Sequence, residues 1–330
     1  MQSAAVTGAS GHIGANLIRA LCAQERQVRA LVHTDRRAFD GLDIEITPAD
    51  VLDPDSLKKA FTQVEVVFHL AATISLRKRD AALMYRINVE GTRHVIEACR
   101  LAGVRRLVHF SSIHALRSDN PCECINEKTP LVERSRSLPY DWTKAAAENL
   151  VLDAVKDGLD AVIVNPTAVI GPHDYRPSHM GRFIISLYHR KTKALVKGGF
   201  NWVDVRDVTE GALLAESAGV CGERYLLGGT WLSLKSLSQL VQGVTGIRTT
   251  RFTFPMWLAH AGVPFVGTYS WVTGKSPLYS GQSLYALRHH KNISLQKAIE
   301  KLGYHPRPIR ATIEDTYEWF LRKGYITPPV

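Results

Sequence analysis

The sequence predicts an α/β protein built on a doubly wound parallel sheet. A glycine-rich turn joins the first apolar run to the first amphipathic run, and short apolar runs then alternate with helical patterns as far as Pro166. Such alternation is typical of a parallel sheet covered by helices on both faces. We therefore expect a Rossmann-type sheet with a smaller C-terminal substrate-binding domain.

The turn spans residues 8–14 and carries three glycines. Gly8 allows a tight turn, Gly11 lets a pyrophosphate approach main-chain N–H groups, and Gly14 lets the next helix pack closely on the strand. Three glycines alone fit an ordinary turn equally well, but their place between a strand and a helix N-terminus favours nucleotide binding. The expected contacts are Gly8, Ser10, Gly11, His12, Ile13 and Gly14.

The other elements follow from the same patterns. Apolar runs predict strands at 28–32, 44–46, 64–70, 106–110 and 161–164, and amphipathic runs predict helices at 57–61, about 80–102 and about 140–155. Beyond Pro166 the alternation breaks down, with helices at 207–217, 234–244, 283–289, 294–302 and 311–322. We expect residues 1–166, with returning segments at about 200–228, to bind the dinucleotide, and residues 167–330 to form mainly a substrate-binding cap.

Composition narrows the class of protein. No apolar run reaches the roughly 18 residues that a membrane span needs, and we expect no signal peptide. The five cysteines are scattered, and Cys122 and Cys124 lack a second cluster, so we expect free thiols, no metal site and a cytoplasmic protein. The net charge is +10, but Lys and Arg are spread along the chain, so we expect no nucleic-acid partner; contact with a membrane surface is a secondary alternative.

Two groups of residues near the predicted strand ends can do acid–base chemistry. Tyr140 and Lys144 are four residues apart on a predicted helix, so the ammonium can lie beside the phenol. A nearby cation lowers the pKa of a tyrosine and makes it a usable general acid or base. Ser111 and Ser112 follow the strand at 106–110. Of the eleven tyrosines, only Tyr140 has a lysine four residues on.

Several motifs together resemble the extended short-chain dehydrogenase/reductase superfamily and its NAD-dependent epimerase/dehydratase family. Within it, the chain is most similar to dihydroflavonol-4-reductase-like and 3-beta-hydroxysteroid-dehydrogenase-like members. The motifs are the glycine turn at 7–14, His69-Leu70-Ala71-Ala72, Asn88-Val89-Glu90-Gly91-Thr92, Ser111-Ser112, Tyr140 to Lys144, Asn165-Pro166 and Val203-Asp204-Val205-Arg206-Asp207-Val208.

The resemblance implies an oxidoreductase that uses NAD(P)(H) and residues in assigned roles. Tyr140 would exchange the proton of the substrate oxygen, Lys144 would lower the pKa of Tyr140 and hold the ribose, and Ser112 would hydrogen-bond the reacting oxygen. Asn88 would support a water relay to the lysine, although by itself it fits a structural helix residue better. Ser112 is assigned over Ser111 by analogy alone. Further implied cofactor contacts are Leu70, Ala71, Ala72, Asn165 and Pro166.

The end of the second strand selects the nicotinamide cofactor. An acidic residue there binds the ribose 2′-OH of NAD, and a basic residue accommodates the 2′-phosphate of NADP. Val32 occupies the acidic position, and His33, Arg36 and Arg37 follow, so NADP(H) is favoured and NAD(H) remains the alternative. Asp50 and Val51 match the pair that contacts adenine in the family. A helix N-cap region before Pro54, with Asp53, is the competing explanation.

The substrate is less well specified. The chain lacks the Thr-Asp-Glu run of family dehydratases, and Gly198-Gly199-Phe200-Asn201-Trp202 stands where epimerases place a phosphate-binding arginine. The apolar stretch at 254–272 fits cap core, a substrate pocket or a membrane contact. We expect a sterol, flavonoid or acyl-type ketone or alcohol. A nucleotide-sugar epimerase or 4-reductase, and a catalytically silent redox sensor or scaffold, are the alternatives. The resemblance also implies a homodimer formed through the long helix and the helix of Tyr140.

Overall fold

The computed structural model describes residues 2–75, 77–120, 123–250, 252–256, 258, 287 and 290–327, and a seven-stranded parallel sheet is its central layer. The strands of this main sheet are β1 (Ser3–Thr7), β2 (Gln27–Val32), β3 (Glu45–Pro48), β4 (Val66–His69), β5 (Arg106–Phe110), β7 (Ala161–Pro166) and β11 (Arg224–Leu227). Their order across the sheet is β11-β7-β5-β4-β1-β2-β3, and every neighbouring pair is parallel. The doubly wound Rossmann-type sheet predicted from the sequence is confirmed.

Helices cover both faces of the main sheet. They are α1 (His12–Ala23), α2 (Pro54–Phe61), α3 (Ala81–Tyr85), α4 (Gly91–Ala102), α5 (Pro139–Lys156) and, later in the chain, α7 (Val205–Ala218). Apolar side chains of α1 and α7 pack on one face of the strands, and those of α2, α4 and α5 pack on the other. Since both faces are covered, β4 and β7 are buried along their whole length, which is why they consist almost entirely of apolar residues.

A second, smaller layer follows β7. Its three-stranded sheet has the order β12-β10-β8, from β8 (Ala168–Ile170), β10 (Gly199–Asp204) and β12 (Thr230–Ser233). Two-residue strands form two further pairs: β6 (Cys124–Ile125) with β14 (Asn292–Ile293), and β9 (Leu195–Val196) with β13 (Thr253–Phe254). The other helices are α6 (His179–Tyr188), α8 (Leu234–Thr245), α9 (Gln296–Leu302) and α10 (Ile309–Arg322), and a separate apolar core joins α6, α8 and α10 to this layer.

Most predicted elements match the structure within a few residues, and one differs. The predicted helix at about 80–102 is α3 and α4 joined by a π-helical turn at Arg86–Glu90. The predicted strand at 161–164 extends to Pro166. The predicted helix at 283–289 and most of the apolar stretch at 254–272 lie outside the described residues.

The carboxyl ends of the main strands meet at one edge, as expected. Thr7 is in register with His69, His69 with His109, and Phe110 with Val164. Gly8, directly after β1, has a φ of +67°, and a Cβ there would lie 2.7 Å from the backbone nitrogen of Ala71. Only glycine allows the first turn to approach the loop after β4 this closely.

Gly14→Ala tests this close packing. A Cβ at Gly14 would lie 2.5 Å from the carbonyl oxygen of Gly8 and 2.6 Å from that of Ala9, and backbone atoms cannot rotate away. We expect the substitution to lower the free energy of unfolding by about 1–3 kcal/mol, as overpacking does. Urea denaturation followed by circular dichroism measures the change.

Gly243→Ala is the matched control, because Gly243 is an exposed glycine in α8 and a Cβ there meets no atom within 4 Å. It should raise the free energy of unfolding by up to about 1 kcal/mol through helix propensity. Equal effects of the two substitutions would contradict the packing argument.

Candidate active site

A cavity of about 430 Å³ lies between the carboxyl edge of the main sheet and the smaller layer. This volume is in the range of small-molecule sites. Most of its wall comes from three places: the glycine turn, the loop after β5 with the start of α5, and the first strands of the smaller layer. Among the lining residues are Gly8, Gly11, His12, Ile13, Gly14, Leu70, Ala72, Ser112, His114, Tyr140, Asp141, Lys144, Pro166, Val169, Met180, Phe200 and His290.

The N-terminus of α1 forms one end of this cavity and is suited to an anion. Its N-cap is Gly11, which offers no side-chain acceptor, and the first turn holds no acidic residue. By contrast, α2 is capped by Asp53, whose carboxylate accepts from the N–H groups of Asp55 and Ser56. The first N–H groups of a helix need an external acceptor. The glycine turn and α1 therefore fit a pyrophosphate, which supports the presence of a dinucleotide site.

Tyr140 and Ser112 lie together in the cavity wall. Both residues line the cavity, and Ser112 Oγ accepts from the backbone N–H of His114 at 3.2 Å. Burial raises the pKa of Tyr140 to about 12, the hydrogen bond from Ser112 opposes this rise, and the charge of Asp141 adds to it. Ser111 also lines the cavity, but its buried hydroxyl has no hydrogen-bond partner among the described residues. Of the two serines, Ser112 is the one that influences the pKa of Tyr140.

Lys144 is buried one helical turn after Tyr140. Its Nζ donates to the carbonyl oxygen of Phe110 at 2.5 Å, and burial lowers its pKa to about 8, while the charge of Glu148 opposes that fall. An ammonium with this pKa is largely charged at neutral pH and close to losing its proton above it. The side chain of Lys144 can therefore be either a charged ammonium or a neutral amine at the cavity wall.

Glu148 is a site-supporting residue that the sequence analysis missed. It is fully buried, lies one turn beyond Lys144 and forms a 2.8 Å ion pair with Arg224 of β11. Its other oxygen accepts from Asn165 Nδ2 at 3.0 Å, and the same amide group donates to the carbonyl oxygen of Ser112. Asn165 thus stands behind the cavity wall and holds Ser112 in place. The spacing of 140, 144 and 148 was a signal for Glu148; its partner Arg224, 76 positions later, was not readable from spacing.

A buried hydrogen-bond chain supports the base of the site. Thr92 donates to the carbonyl oxygen of Asn88 at 2.6 Å, so Thr92 Oγ1 accepts from His69 Nε2, and His69 Nδ1 accepts from Thr7 Oγ1 at 2.8 Å. Burial, together with the smaller effect of the charge of Lys144, lowers the pKa of His69 to about 3. The pKa of the neighbouring His109 is also lowered, chiefly by burial. Both imidazoles are therefore neutral beside the lysine.

Asn88 anchors the loop after β4 to α5. Its Oδ1 accepts from the N–H of Thr73 at 2.8 Å, and its Nδ2 donates to the carbonyl oxygen of Thr73 and to Thr143 Oγ1, both at 3.1 Å. Asn88 therefore contacts the turn of α5 that carries Lys144 rather than Lys144 itself. Leu70 and Ala72, in the same loop, line the cavity, and the N–H of Ala71 donates to Thr7 Oγ1.

The residues predicted to surround the adenosine end are outside the cavity. His33, Arg36 and Arg37 are exposed, and Arg37 forms a two-point ion pair with Asp35, at 2.6 and 2.9 Å, which lowers the pKa of that carboxyl group. The other residues predicted to contact the cofactor at this end have local contacts. Ser10 is half-buried in the glycine turn, the side chain of Asp50 accepts from the N–H of Leu52, and Val51 lies against Gly91. Asp53 caps α2, as the competing explanation for residues 50–54 states. This cap does not use Asp50 or Val51, so both can still contact an adenine ring.

Three further cavity residues were not singled out from the sequence. Asp141 follows Tyr140, is buried, and has its pKa raised to about 7 by burial. His114 lies with Nδ1 3.9 Å from the Asp141 carboxylate, and its ring is 5.0 Å from that of His290, which comes from the far end of the chain. The sequence offered a signal only for Asp141, which lies inside the Tyr140–Lys144 motif.

Comparison with known proteins identifies the family. A model of the NAD-dependent epimerase/dehydratase family matches residues 4–228. The chain belongs to the NAD-dependent epimerase/dehydratase family. The predicted membership of the extended short-chain dehydrogenase/reductase superfamily is thereby confirmed, and the protein is an oxidoreductase of that type.

Individual relatives cover almost the whole chain. Sterol demethylase protein B of Methylococcus capsulatus is 37% identical over 97% of this chain and 99% of its own length. A 4-hydroxy-2-methyl-3-oxo-4-farnesyl-3,4-dihydroquinoline-1-oxide ketoreductase of Stigmatella aurantiaca is 32% identical over 91% of this chain and 90% of its own. The crystal structure of gox2253 superposes with a TM-score of 0.87 and 32% identity over 99% of this chain and 100% of that one.

The raised pKa of Asp141 generates a prediction about stability. Because the pKa is about 7 in the folded protein and near 4 in the unfolded chain, burial stabilises the protonated form, and this contribution is lost as the pH rises through 7. Asp141→Asn keeps the shape without the charge. The free energy of unfolding of the variant should exceed that of the wild type by about 1 kcal/mol at pH 5 and by about 4 kcal/mol above pH 8.

Urea denaturation at both pH values measures the difference. Asp153→Asn is the control, since Asp153 lies on the same helix but is exposed and pairs with Lys156. Its effect should not grow with pH. If the advantage of Asp141→Asn stays constant from pH 5 to pH 8, the carboxyl group does not titrate as described.

Proposed function

We propose that the protein catalyses the interconversion of a ketone and a secondary alcohol on a hydrophobic, sterol-class substrate, with a nicotinamide dinucleotide as cofactor. The observation that carries the proposal is that Ser112, Tyr140 and buried Lys144 share the wall of one largely apolar cavity. The cavity extends from the anion-binding end of α1 to the smaller layer, so it has room for a cofactor at one end and a substrate at the other.

The cofactor is assigned to the end of the cavity that contains the glycine turn. The N–H groups near His12 and Ile13 would hold the pyrophosphate, and Lys144 would leave Phe110 to reach the ribose hydroxyls. Leu70, Ala72 and Pro166 line the path between them. The bound dinucleotide would supply or accept the hydride.

Tyr140 is the proposed general acid and base. In the direction of oxidation, its phenolate would take the proton of the substrate hydroxyl group; in the direction of reduction, the phenol would return that proton to the carbonyl oxygen. A phenol with a pKa of about 12 is a poor base at neutral pH, so the ammonium of Lys144 must approach it to lower that pKa. Ser112 would donate a hydrogen bond to the substrate oxygen as negative charge develops there.

Two features support a hydrophobic substrate. Met180, Phe200, Val169 and Ile293 give the substrate end of the cavity an apolar wall. The names of two relatives, a sterol demethylase protein and a farnesyl-quinoline-oxide ketoreductase, both denote chemistry on large apolar molecules. A nucleotide sugar would need a cationic partner for its diphosphate, and among the described residues the smaller layer contributes Asn201 and His179 to the cavity wall, but no arginine.

Tyr140→Phe tests the catalytic role. Removal of the hydroxyl group removes the proton donor, so kcat/KM should fall by a factor of about 10² to 10⁴ while the cofactor binds unchanged. Nicotinamide absorbance gives the rate on a panel of sterol, flavonoid and acyl ketones and alcohols, with UDP-sugars for comparison. Tyr85→Phe is the control. Tyr85 packs on Trp142, which lies on the same helix as Tyr140, but Tyr85 is not among the residues of the cavity wall.

The outcomes separate the three functional classes. Turnover of the apolar panel that Tyr140→Phe abolishes supports the proposal. Turnover of UDP-sugars alone favours the epimerase. Tight dinucleotide binding without turnover of any compound, unchanged in the variant, indicates a redox sensor or scaffold.

For the cofactor, we propose a preference for NADP(H) over NAD(H). Asp35 is the one carboxylate within a few residues of the end of β2. Arg37 donates to both oxygens of Asp35, so Asp35 is poorly placed to bind a ribose 2′-OH. His33 and Arg36 are exposed beside it and can meet a 2′-phosphate. The cytoplasmic location and the homodimer expected from the sequence stay predictions.

Arg36→Ser tests the preference. Loss of one phosphate contact should raise KM for NADPH about tenfold, as expected for a charge-assisted hydrogen bond, and leave KM for NADH within a factor of two. Arg93→Ser, which removes an exposed arginine from α4, should change neither. If the wild-type enzyme uses NADH more efficiently than NADPH, the preference is reversed and Asp35 is the residue to test next.

A further inference from the structure

Acidic residues are distributed very unevenly in this chain. No Asp or Glu occurs between Asp174 and Asp204, nor between Glu223 and Glu300. The first of these segments contains six Lys and Arg residues and the second contains eight. Since the whole chain has 41 Lys and Arg against 31 Asp and Glu, the rest of it is acidic on balance. The net charge of +10 therefore originates entirely in these two segments.

The two acid-free segments meet in the smaller layer. The first supplies α6 and β9, the second supplies α8 and β13, and a common apolar core joins them. β13 pairs with β9 in register, with Thr253 opposite Leu195 and Phe254 opposite Val196. The backbone N–H of Lys197 donates to the carbonyl oxygen of Phe254 at 3.0 Å. Residues far apart in the chain thus form one continuous edge.

This edge exposes large apolar side chains beside cations. Phe252 is 76% exposed, Phe254 44% and Leu258 41%. Lys193 and Lys197 flank β9 and are exposed, as are Arg190, Lys191 and Arg248 nearby. We call Phe252, Phe254, Leu258, Lys193 and Lys197 the β9–β13 edge. Soluble surfaces rarely combine clustered exposed phenylalanines with an excess of cations unless they have a partner.

We propose that the β9–β13 edge docks the protein on the surface of an anionic phospholipid bilayer. Lysine and arginine are attracted to the negative headgroups, while phenylalanine and leucine enter the boundary between headgroups and acyl chains. Peripheral attachment of this kind needs both signals, and the edge supplies both. Among the described residues, none of the helices combines the length and apolar character that crossing a bilayer requires.

Charge complementarity selects the lipid surface over other occupants. Glu314 and Asp315 of α10, in the same layer, pair with Arg310 and Arg206, and among the described residues no carboxylate, Glu318 of α10 included, forms an ion pair with Lys193 or Lys197. A DNA duplex would bind the cations through its phosphates, but its bases are stacked inside the helix and would leave Phe252 and Phe254 exposed to water. The inference is independent of the proposed reaction, although a sterol-class substrate would itself reside in a bilayer.

Vesicle sedimentation tests the docking surface with the full-length protein and neither cofactor nor substrate. Vesicles of equal parts phosphatidylcholine and phosphatidylglycerol should bind the protein at least about tenfold more strongly than phosphatidylcholine alone, and high salt should abolish the difference by screening. Lys193→Glu with Lys197→Glu, and separately Phe252→Ser with Phe254→Ser, should each reduce binding about tenfold.

Val220→Ser and Ile299→Ser are the matched controls. Both residues are exposed apolar side chains, 61% and 41% exposed, that lie away from the edge and contribute no charge. They should leave vesicle binding unchanged. Circular dichroism and cofactor binding establish that every variant is folded.

Several results would overturn the proposal. One is a wild-type protein that stays in the supernatant with anionic vesicles at low salt; another is a pair of phenylalanine variants that bind as well as the wild type. A change in molar mass by light scattering in those variants, without a change in vesicle binding, assigns the edge to a second copy of the chain. Lysine-dependent binding to a DNA duplex in place of vesicles assigns it to nucleic acid. None of these results depends on turnover, so they test the docking surface without testing the proposed reaction.

Discussion

The close approach of two backbones at the carboxyl edge of the main sheet determines the rest of the structure. The turn at Gly8 lies against the loop that begins at Leu70, and Thr7 Oγ1 accepts from the N–H groups of both Leu70 and Ala71. Thr7 in turn donates to His69, whose other nitrogen reaches Thr92. One glycine without a Cβ and one threonine hydroxyl therefore fix the positions of β1, β4 and α4, and the helix that faces the pyrophosphate is aimed by this contact.

The local parts of the site were predictable because short-range periodicity encodes them. The glycine spacing gives the turn, and four-residue spacing places Tyr140 above Lys144 on one helix face. The strands and helices of the first half followed from alternation for the same reason. The role of each of these side chains in the reaction remains a proposal.

The parts that the sequence did not reveal depend on long-range contacts or on side-chain direction. The ion pair between Glu148 and Arg224 joins α5 to the edge strand β11, far apart in the sequence, and His290 reaches the cavity from the C-terminal segment. The orientation of Arg37 toward Asp35 could not be inferred from the order of residues after β2. The acid-free segments were visible in the sequence, but only the pairing of β9 with β13 brings their exposed side chains together.

The ion pair between Glu148 and Arg224 also constrains how the protein can be assembled. β11 is the edge strand of the main sheet, yet the ribosome makes it only after the whole of β8, α6 and β10. Until Arg224 arrives, Glu148 lacks its ion-pair partner, and burial of a carboxylate without that partner has a large free-energy cost. A nascent chain that ends at Pro166 therefore cannot close the polar environment of Lys144. α5 therefore completes its buried polar contacts only after β8, α6 and β10 have been synthesised.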